Sequence, residues 1–266
     1  MMISLNGTSL HVEDAGDPRG SPVVFVHGFP FSGAMWQPQV AAVNHRHRVV
    51  TYDLRGMGRS AVGDGQYTIE GHVDDLIALL DHLGLTSPVI VGLSMGGYVT
   101  LRAVERHPER FRAVVLCDTR SEADDDAAKL KRAAGVAGVK RDGAAAFAEA
   151  FIPAVFAPGS LKAKPEAVSL IRETIAATPP LAIAGQLLAM AGRTDTSASL
   201  ARIAVPTLIL CGELDSVTPP ALSRAMHERI PGSQLALVPG AGHLSNLEDP
   251  GFFNARLLDF LTGIGD

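Results

Sequence analysis

Short apolar runs separated by longer amphipathic segments dominate both ends of the chain. The runs have the length and composition of buried β-strands. They are Ile3–Leu5, Leu10–Glu13, Pro22–Val26, Arg48–Tyr52, Pro88–Leu93, Arg112–Cys117, Pro206–Cys211 and Gln234–Val238. The first two flank Asn6-Gly7 and predict a hairpin. Strands and helices alternate after it, which predicts an α/β fold with a mostly parallel sheet and helices on both faces.

The segments between these runs carry apolar residues at helical spacing, which predicts amphipathic helices packed on the sheet. In Ile69–Leu83, apolar residues recur three or four positions apart, and Gly84 ends the segment. A segment that starts at Pro219 has proline in its first turn, a favoured position for that residue. The predicted helices outside the middle of the chain are Ala34–Val40, Ile69–Leu83, Met95–Arg106, Pro219–Ile230 and Pro250–Leu261.

Between residues 119 and 200 the strand pattern disappears and the chain is rich in alanine. We call this segment the insertion, and we expect it to form a helical cap over a core made of residues 1–118 and 201–266. Its aromatic residues, such as Phe147 and Phe151, fit packing on the core or contact with a substrate, and packing is favoured. The helices of the insertion are predicted to break at Gly135, Gly143, Pro153, Pro158-Gly159, Pro165 and Pro179-Pro180.

Composition and charge narrow the functional classes. A chain of 266 residues can bury a large core without disulfides or structural metals. A formal net charge of −5 and the lack of a dense Lys/Arg run argue against nucleic-acid binding. The chain shows neither a basic leader before an apolar stretch nor about 18 uninterrupted apolar residues, so we expect a cytoplasmic protein without membrane spans. Cys117 and Cys211 end apolar strands and are predicted to be buried thiols.

Ser94 lies in Gly92-Leu93-Ser94-Met95-Gly96-Gly97, where an apolar strand becomes a helix. Glycines two positions before and after the serine permit a sharp turn in which side chains would collide with neighbouring backbone. The turn places the Ser94 hydroxyl at a helix N-terminus, where free N–H groups and the helix dipole favour a nearby oxyanion. This pattern predicts a nucleophilic serine.

A serine hydroxyl needs a base within hydrogen-bond reach and a third group that orients the base. Asp215 follows the strand that ends at Cys211, and His243 follows the next strand. Both are expected at the edge of the sheet where Ser94 lies. The chain order Ser94, Asp215, His243 is that of α/β-hydrolases, so we predict these residues as a catalytic triad. Asp118, at the end of an earlier strand, is the alternative acid.

An oxyanion hole needs two N–H donors aimed at the developing charge. The residue after the nucleophile, Met95, is expected to give one of them. Phe29 is expected to give the other, because Gly28 before it lets the loop after Pro22–Val26 come close to the site. His27 in the same loop is assigned a bracing role.

The chain resembles the α/β-hydrolase-fold serine hydrolases of the carboxylesterase and 3-oxoadipate enol-lactonase type. Five segments carry the resemblance, which spans most of the chain outside the insertion. It implies an eight-stranded, mostly parallel sheet, a helical cap and no cofactor. Enol-lactonases of this type often carry a tryptophan in the cap, whereas the single tryptophan here, Trp36, precedes it, which makes the lactonase hypothesis less favoured. The segments are 26–30, 52–60, 92–97, 212–215 and 240–243.

Serine at the turn favours acyl transfer over the dehalogenase and epoxide hydrolase chemistry that needs a carboxylate nucleophile. The leading hypothesis is a carboxylesterase that hydrolyses small, short-chain esters through an acyl-enzyme on Ser94. A lactonase, a perhydrolase or a carbon–carbon bond hydrolase could use the same triad. A hydrolase-like signal receptor that binds a protein partner is the hypothesis from another class. The oligomeric state is left open.

Other polar groups are assigned structural roles. Asp53-Leu54-Arg55-Gly56 resembles a turn whose charges brace loops in this family. His45 and His47 stand two residues apart without an acidic or cysteine partner nearby, so we predict solvated histidines and no metal site. The acidic residues from Glu122 to Asp126 precede a helical stretch and are predicted to form a solvated face.

Overall fold

Eight strands form one sheet in the computed structural model, which describes residues 1–265. They are β1 (Met2–Leu5), β2 (Thr8–Gly16), β3 (Pro22–Val26), β4 (Arg48–Tyr52), β5 (Val89–Leu93), β6 (Ala113–Cys117), β7 (Thr207–Gly212) and β8 (Gln234–Val238). Their order across the sheet is β1-β2-β4-β3-β5-β6-β7-β8. β1 and β2 are antiparallel to their neighbours, and the other six strands are parallel. The predicted mostly parallel eight-stranded sheet is confirmed.

Within residues 1–265, ten α-helices accompany the sheet. Every residue of β5, β6 and β7 is buried, as expected of parallel strands covered by helices on both faces. The helices are α1 (Gln37–Val43), α2 (Ile69–His82), α3 (Met95–Arg106), α4 (Asp126–Val155), α5 (Ser160–Ala163), α6 (Pro165–Ala177), α7 (Pro180–Ala191), α8 (Pro220–Arg229), α9 (Ser245–Glu248) and α10 (Pro250–Gly263).

Two elements near the N-terminus differ from the sequence prediction. β2 continues to Gly16 because its second half pairs with β4, from Val12 opposite Tyr52 to Gly16 opposite Arg48. The predicted strand ended at Glu13 because the prediction relied on apolar residues, whereas this half of β2 includes polar ones. The helix expected at 34–40 is a 3-10 turn over Gly33–Trp36 that leads into α1. Trp36 is fully buried, with its ring centroid 4.9 Å from that of Phe25.

Between β6 and β7 the insertion folds into α4–α7 and a 3-10 turn. The predicted break at Gly143 is confirmed, because this residue has φ 83° inside α4. The breaks predicted at Gly135 and Pro153 are wrong. A Cβ at Gly135 would lie 3.1 Å from Leu187 of α7, which shows how closely the two helices pack there, and Pro153 sits in the last turn of α4. The division into core and cap stays a prediction.

A buried histidine links the insertion to the sheet-covering helices. His72 of α2 donates from Nε2 to Gln186 Oε1 of α7 at 2.8 Å, and Gln186 Nε2 donates to the Arg55 carbonyl at 2.7 Å. Burial lowers the pKa of His72 to about 4, although the bond to Gln186 opposes that shift. The imidazole is therefore neutral near pH 7 and serves as a hydrogen-bond donor between the two layers.

No single helix among residues 1–265 combines the length and apolar composition needed to cross a membrane. Only α6 and α7 meet those criteria as a pair, and they are bent by 99° relative to each other. Most residues of α7 are buried within the protein. The cytoplasmic location stays a prediction.

Backbone segments meet without room for side chains at the edge where the parallel strands end. A Cβ at Gly96 would lie 2.2 Å from the Val26 carbonyl oxygen and 2.7 Å from that of His27. A Cβ at Gly212 would lie 1.9 Å from the carbonyl oxygen of Gly242. Glycine therefore permits the close approach of the turn after β5 to the loop after β3, and of β7 to the loop after β8.

Gly96→Ala is expected to lower the free energy of unfolding by about 1–3 kcal/mol or more, because the added methyl group must displace backbone of β3. Gly138→Ala is the matched control, since the residue is inside a helix and no atom beyond the neighbouring backbone of that helix lies within 4 Å of a Cβ there. That variant is expected to gain about 0.5–1 kcal/mol. Urea unfolding of both variants measures the difference, and equal midpoints would contradict it.

Candidate active site

Ser94 joins β5 to α3 with φ 53° and ψ −114°, a conformation that non-glycine residues rarely adopt. Its N–H donates to the Cys117 carbonyl at 2.9 Å, and its carbonyl accepts from Tyr98 N–H at 3.1 Å and from the Thr119 hydroxyl at 2.8 Å. These bonds hold the strained residue in place. The sharp strand-to-helix turn expected from the glycine pattern is present.

The three residues predicted as a triad lie together. Ser94 Oγ is 2.9 Å from His243 Nε2, and His243 Nδ1 is 2.8 Å from Asp215 Oδ2. The side chains come from the loops after β5, β7 and β8, and Ser94, Asp215 and His243 are 8 %, 3 % and 2 % exposed. This continuous chain of hydrogen bonds can move a proton from the hydroxyl to the imidazole and stabilise the resulting charge.

The Asp215 carboxylate is fixed by several donors besides His243. Oδ1 accepts from the N–H groups of Val217 and Thr218 at 2.8 and 3.0 Å, and Oδ2 accepts from the Thr218 hydroxyl at 2.7 Å. Burial acts to raise the pKa of Asp215, but the charge and hydrogen bond of His243, with the bonds from Thr218, hold it below the ordinary value. The carboxylate is therefore charged, and it directs the Nδ1 proton so that Nε2 faces Ser94.

Thr218 is a site residue that our sequence analysis missed. A local sequence pattern could have indicated it, because an aspartate often accepts hydrogen bonds from the backbone two or three residues further along the chain. The spacing from Asp215 to Thr218 fits that pattern.

Asp118 lies beside this chain but takes no part in it. Its Oδ1 accepts from Gly212 N–H at 2.7 Å, and its Oδ2 accepts from the Ser245 hydroxyl at 2.5 Å. Complete burial raises the pKa of Asp118 well above its usual range, and the charge of Asp215 raises it further. The partner of the imidazole is therefore Asp215, and Asp118 connects the end of β7 with the start of α9.

Among residues 1–265, Asp118, Cys211 and Asp215 form the one group of three or more His, Cys, Asp or Glu side chains whose ligand-type atoms all lie within 4.8 Å of one another. Both carboxylates already accept hydrogen bonds from protein groups. Burial raises the pKa of the Cys211 thiol, which disfavours the thiolate that metals bind. We assign no metal to this cluster. Cys117 and Cys211 are both free and buried, as expected.

The loop after β3 lies against Ser94. A Cβ at Gly28 would be 3.2 Å from the Cβ of Ser94, so the glycine permits this approach. Among residues 1–265, no backbone carbonyl accepts a hydrogen bond from the N–H groups of Phe29 or Met95, and both residues are buried. Both N–H groups can therefore donate to an oxyanion, and their assignment as the oxyanion hole stays a prediction.

His27 braces this loop, as expected. Its Nε2 accepts from Leu54 N–H at 2.9 Å, and its Nδ1 donates to the Gly28 carbonyl at 2.8 Å. Burial lowers the pKa of His27, so the ring is neutral. Asp53 acts in the same region by accepting from the N–H groups of Gly33 and Arg59.

Aromatic side chains of the insertion cover the loop after β3. The Phe29 ring lies edge-on to the rings of Phe147 and Phe151 at centroid distances of 6.0 and 5.9 Å, and the latter two stack at 5.4 Å. Phe31 lies 6.3 Å from Phe151. The ring of a residue predicted to supply an oxyanion donor is therefore part of an apolar cluster shared by the core and the insertion.

Two residues predicted to be solvated are buried. Asp124 is 3 % exposed, and its carboxylate binds the guanidinium groups of Arg120, Arg132 and Arg193 at 2.8, 2.9 and 2.6 Å. The acidic run therefore contributes an ion-pair centre within the insertion, which its local pattern could not reveal because Arg193 is distant in sequence. His47 is also buried, at 7 % exposure, whereas His45 is exposed.

A comparison with protein families gives a match to the alpha/beta hydrolase fold over residues 21–250. The chain belongs to this family. The five predicted site residues of this alpha/beta hydrolase, Phe29, Ser94, Met95, Asp215 and His243, all fall inside the matched region.

Relatives of this alpha/beta hydrolase include proteins with different names. A 3-oxoadipate enol-lactonase from Acinetobacter baylyi is 30 % identical over 95 % of this chain and 92 % of its own length. A thermophilic esterase from Thermogutta terrifontis, solved with malate bound, is 37 % identical over 100 % of this chain and 97 % of its own, with a TM-score of 0.94. The enol-lactonase from Burkholderia xenovorans is 30 % identical over 98 % and 100 %, with a TM-score of 0.92.

Asp215→Asn is expected to slow phosphonylation of Ser94 by a fluorophosphonate on the order of 10³-fold or more, because an amide no longer fixes the imidazole tautomer. Asp118→Asn is expected to slow it far less, since Asp118 favours its neutral form and does not contact the ring. Labelling rates from intact-protein mass spectra distinguish the two acids. A larger loss in Asp118→Asn would assign the acid role to that residue.

Proposed function

We propose that this alpha/beta hydrolase is a serine esterase that cleaves small carboxylic esters, with Ser94, His243 and Asp215 as its catalytic triad. The observation that carries the proposal is the chain of hydrogen bonds from Ser94 Oγ through His243 to Asp215, at 2.9 and 2.8 Å. A structural serine does not need an aligned base and a charged orienting group at a strained turn.

In the first half of the reaction, Ser94 Oγ attacks the ester carbonyl carbon while its proton passes to His243 Nε2. The carbonyl oxygen takes up the negative charge and accepts hydrogen bonds from Phe29 N–H and Met95 N–H. Asp215 stabilises the imidazolium. The tetrahedral intermediate then collapses, His243 returns the proton to the leaving alkoxide, and an alcohol departs from an acyl-enzyme on Ser94.

In the second half, water takes the place of the alcohol. His243 removes a proton from the water as it attacks the acyl carbonyl, and the same two N–H groups hold the oxyanion. Collapse breaks the bond to Ser94 Oγ, which recovers its proton from His243. A carboxylic acid leaves, and the enzyme returns to its starting state.

The surroundings of Ser94 support a compact, uncharged acyl group. The serine is 8 % exposed, and the apolar cluster of Phe29, Phe31, Phe147 and Phe151 lies beside the loop that approaches it. Apolar rings favour acyl groups without charge, because a charged group would lose its hydration there without a partner.

Ser94→Ala is expected to abolish hydrolysis of p-nitrophenyl acetate while leaving the fold intact, because no other group in the proposed site can form the acyl-enzyme. Initial rates with protein checked by circular dichroism measure this effect. Ser169→Ala is the control, since that serine bonds to Glu173 on the insertion surface.

Turnover at the wild-type rate in Ser94→Ala would refute the proposal. Product formation by the wild type must also exceed many equivalents of enzyme. A stop after one equivalent would favour the signal-receptor hypothesis instead.

A lactonase is the second candidate function. The specific observation in its favour is that two similar proteins, those from Acinetobacter baylyi and Burkholderia xenovorans, carry the name enol-lactonase. The same attack on a lactone would leave the alcohol attached to the acyl-enzyme, so water must act before the tethered hydroxyl closes the ring again.

We expect the specificity constant kcat/KM to be higher for short linear esters than for lactones of equal carbon number. Initial rates for p-nitrophenyl esters from acetyl to decanoyl, and for several lactones followed by acid release, test this expectation. The rate should fall as the acyl chain outgrows the space near Phe147 and Phe151. A preference for lactones would select the second candidate, and Ser94→Ala should abolish either activity.

A further inference from the structure

Glu248 is a buried carboxylate that binds three backbone N–H groups. Its Oε1 accepts from Gly242 and Leu244 at 2.9 and 3.2 Å, and its Oε2 accepts from Ala157 at 2.8 Å. Gly242 and Leu244 are the two neighbours of His243 in the chain, whereas Ala157 belongs to the insertion. The residue is 3 % exposed, so water competes little with these bonds.

Two further contacts join the same segments. The N–H of His243 itself donates to the carbonyl of Val155, the last residue of α4, at 3.0 Å. A Cβ at Gly242 would lie 2.6 Å from the nitrogen of Ala157 and 3.0 Å from the carbonyl carbon of Phe156. We call residues 155–157 the docking segment. Each N–H group from Gly242 to Leu244 thus bonds either to Glu248 or to the docking segment.

The loop that carries His243 needs such support. It contains Gly240, with φ 64°, and Gly242, and glycine leaves the backbone many conformations. The imidazole must stay within hydrogen-bond distance of both Ser94 and Asp215, and an error of about 1 Å in such a geometry can cost on the order of 100-fold in rate. Bonds to the backbone on both sides of His243 remove that freedom.

We propose that Glu248 is a positioning residue that aligns His243 by tying its loop to the docking segment of the insertion. The proposal rests on the proposed function, in which His243 is the general base. The imidazole is then in line with Ser94 only while residues 155–157 are docked on the loop. Docking of residues 155–157 on the loop and alignment of His243 with Ser94 therefore occur together.

Glu248→Gln is the first test. The amide oxygen of glutamine can accept the bonds made to only one of the two carboxylate oxygens. The NH₂ group that replaces the other oxygen is itself a donor and cannot accept from the backbone N–H there. We expect kcat for p-nitrophenyl acetate to fall about 10- to 100-fold with little change in KM, since the loop is misaligned while the substrate pocket is retained. Glu248→Asp keeps the charge on a side chain that is one methylene shorter, so we expect it to recover only part of the kcat lost in Glu248→Gln.

Gly242→Ala tests the same link with the carboxylate intact. Its methyl group would push the His243 loop away from the docking segment, so we expect a kcat loss of similar direction. If Glu248→Gln does not fold, the kcat of Gly242→Ala still tests whether the docking segment aligns His243.

Asp75→Asn is the matched control for an acid-to-amide change at a buried site. Asp75 lies on α2, is 1 % exposed and binds Arg55 and Asn6, outside the His243 loop. A loss of stability in this variant, measured by thermal unfolding, should not be accompanied by a comparable loss of kcat.

A proton NMR readout separates failure of this proposal from failure of the proposed function. The His243 Nδ1 proton, bonded to Asp215, is expected to give a downfield resonance in the wild type and in Asp75→Asn. In Glu248→Gln and Gly242→Ala it should broaden through exchange with water. Unchanged kcat and an unchanged resonance in both variants would overturn the positioning role. An altered resonance without any ester turnover in the wild type would instead overturn the esterase proposal.

Discussion

The carboxyl ends of six parallel strands share one edge of the sheet, and this constraint places the candidate site. Ser94 directly follows β5, Asp118 directly follows β6, and Asp215 and His243 lie in the loops after β7 and β8. Hydrogen bonds between neighbouring strands fix the separation of those loops. Glycines at the crossing points, such as Gly96 against β3, let the loops approach within backbone contact. The geometry around Ser94 depends on this shared edge more than on any single side chain.

Two carboxylates near that edge, Asp215 and Asp118, have pKa values shifted in opposite directions because their surroundings differ. Asp215 is kept charged by His243 and by donors from Val217 and Thr218. Asp118 is fully enclosed and faces the charge of Asp215, so its pKa rises. Only one of the two is suited to stabilise an imidazolium, and it is the one in contact with the ring. Pairs of acids whose environments separate their pKa values are typical of sites that move protons.

The insertion contacts this edge and its surroundings at several independent places. Gln186 of α7 binds His72 and the Arg55 carbonyl. Phe147 and Phe151 pack on Phe29, and residues 155–157 contact the loop of His243. Most of these contacts use buried polar groups, which require specific geometry and so define one docked position. The proposed alignment of His243 depends on this docked position.

The sequence by itself determined the fold class, because buried parallel strands need continuous apolar runs and the turn at Ser94 needs glycines, and both are local patterns. It also singled out Ser94, Asp215 and His243, since each follows a recognisable strand. It could not place the second half of β2, whose residues are polar and are held by pairing with β4. The burial of Asp124 and the three bonds to Glu248 were likewise beyond it. These features depend on groups that are far apart along the chain, and only folding decides which donors surround a given carboxylate.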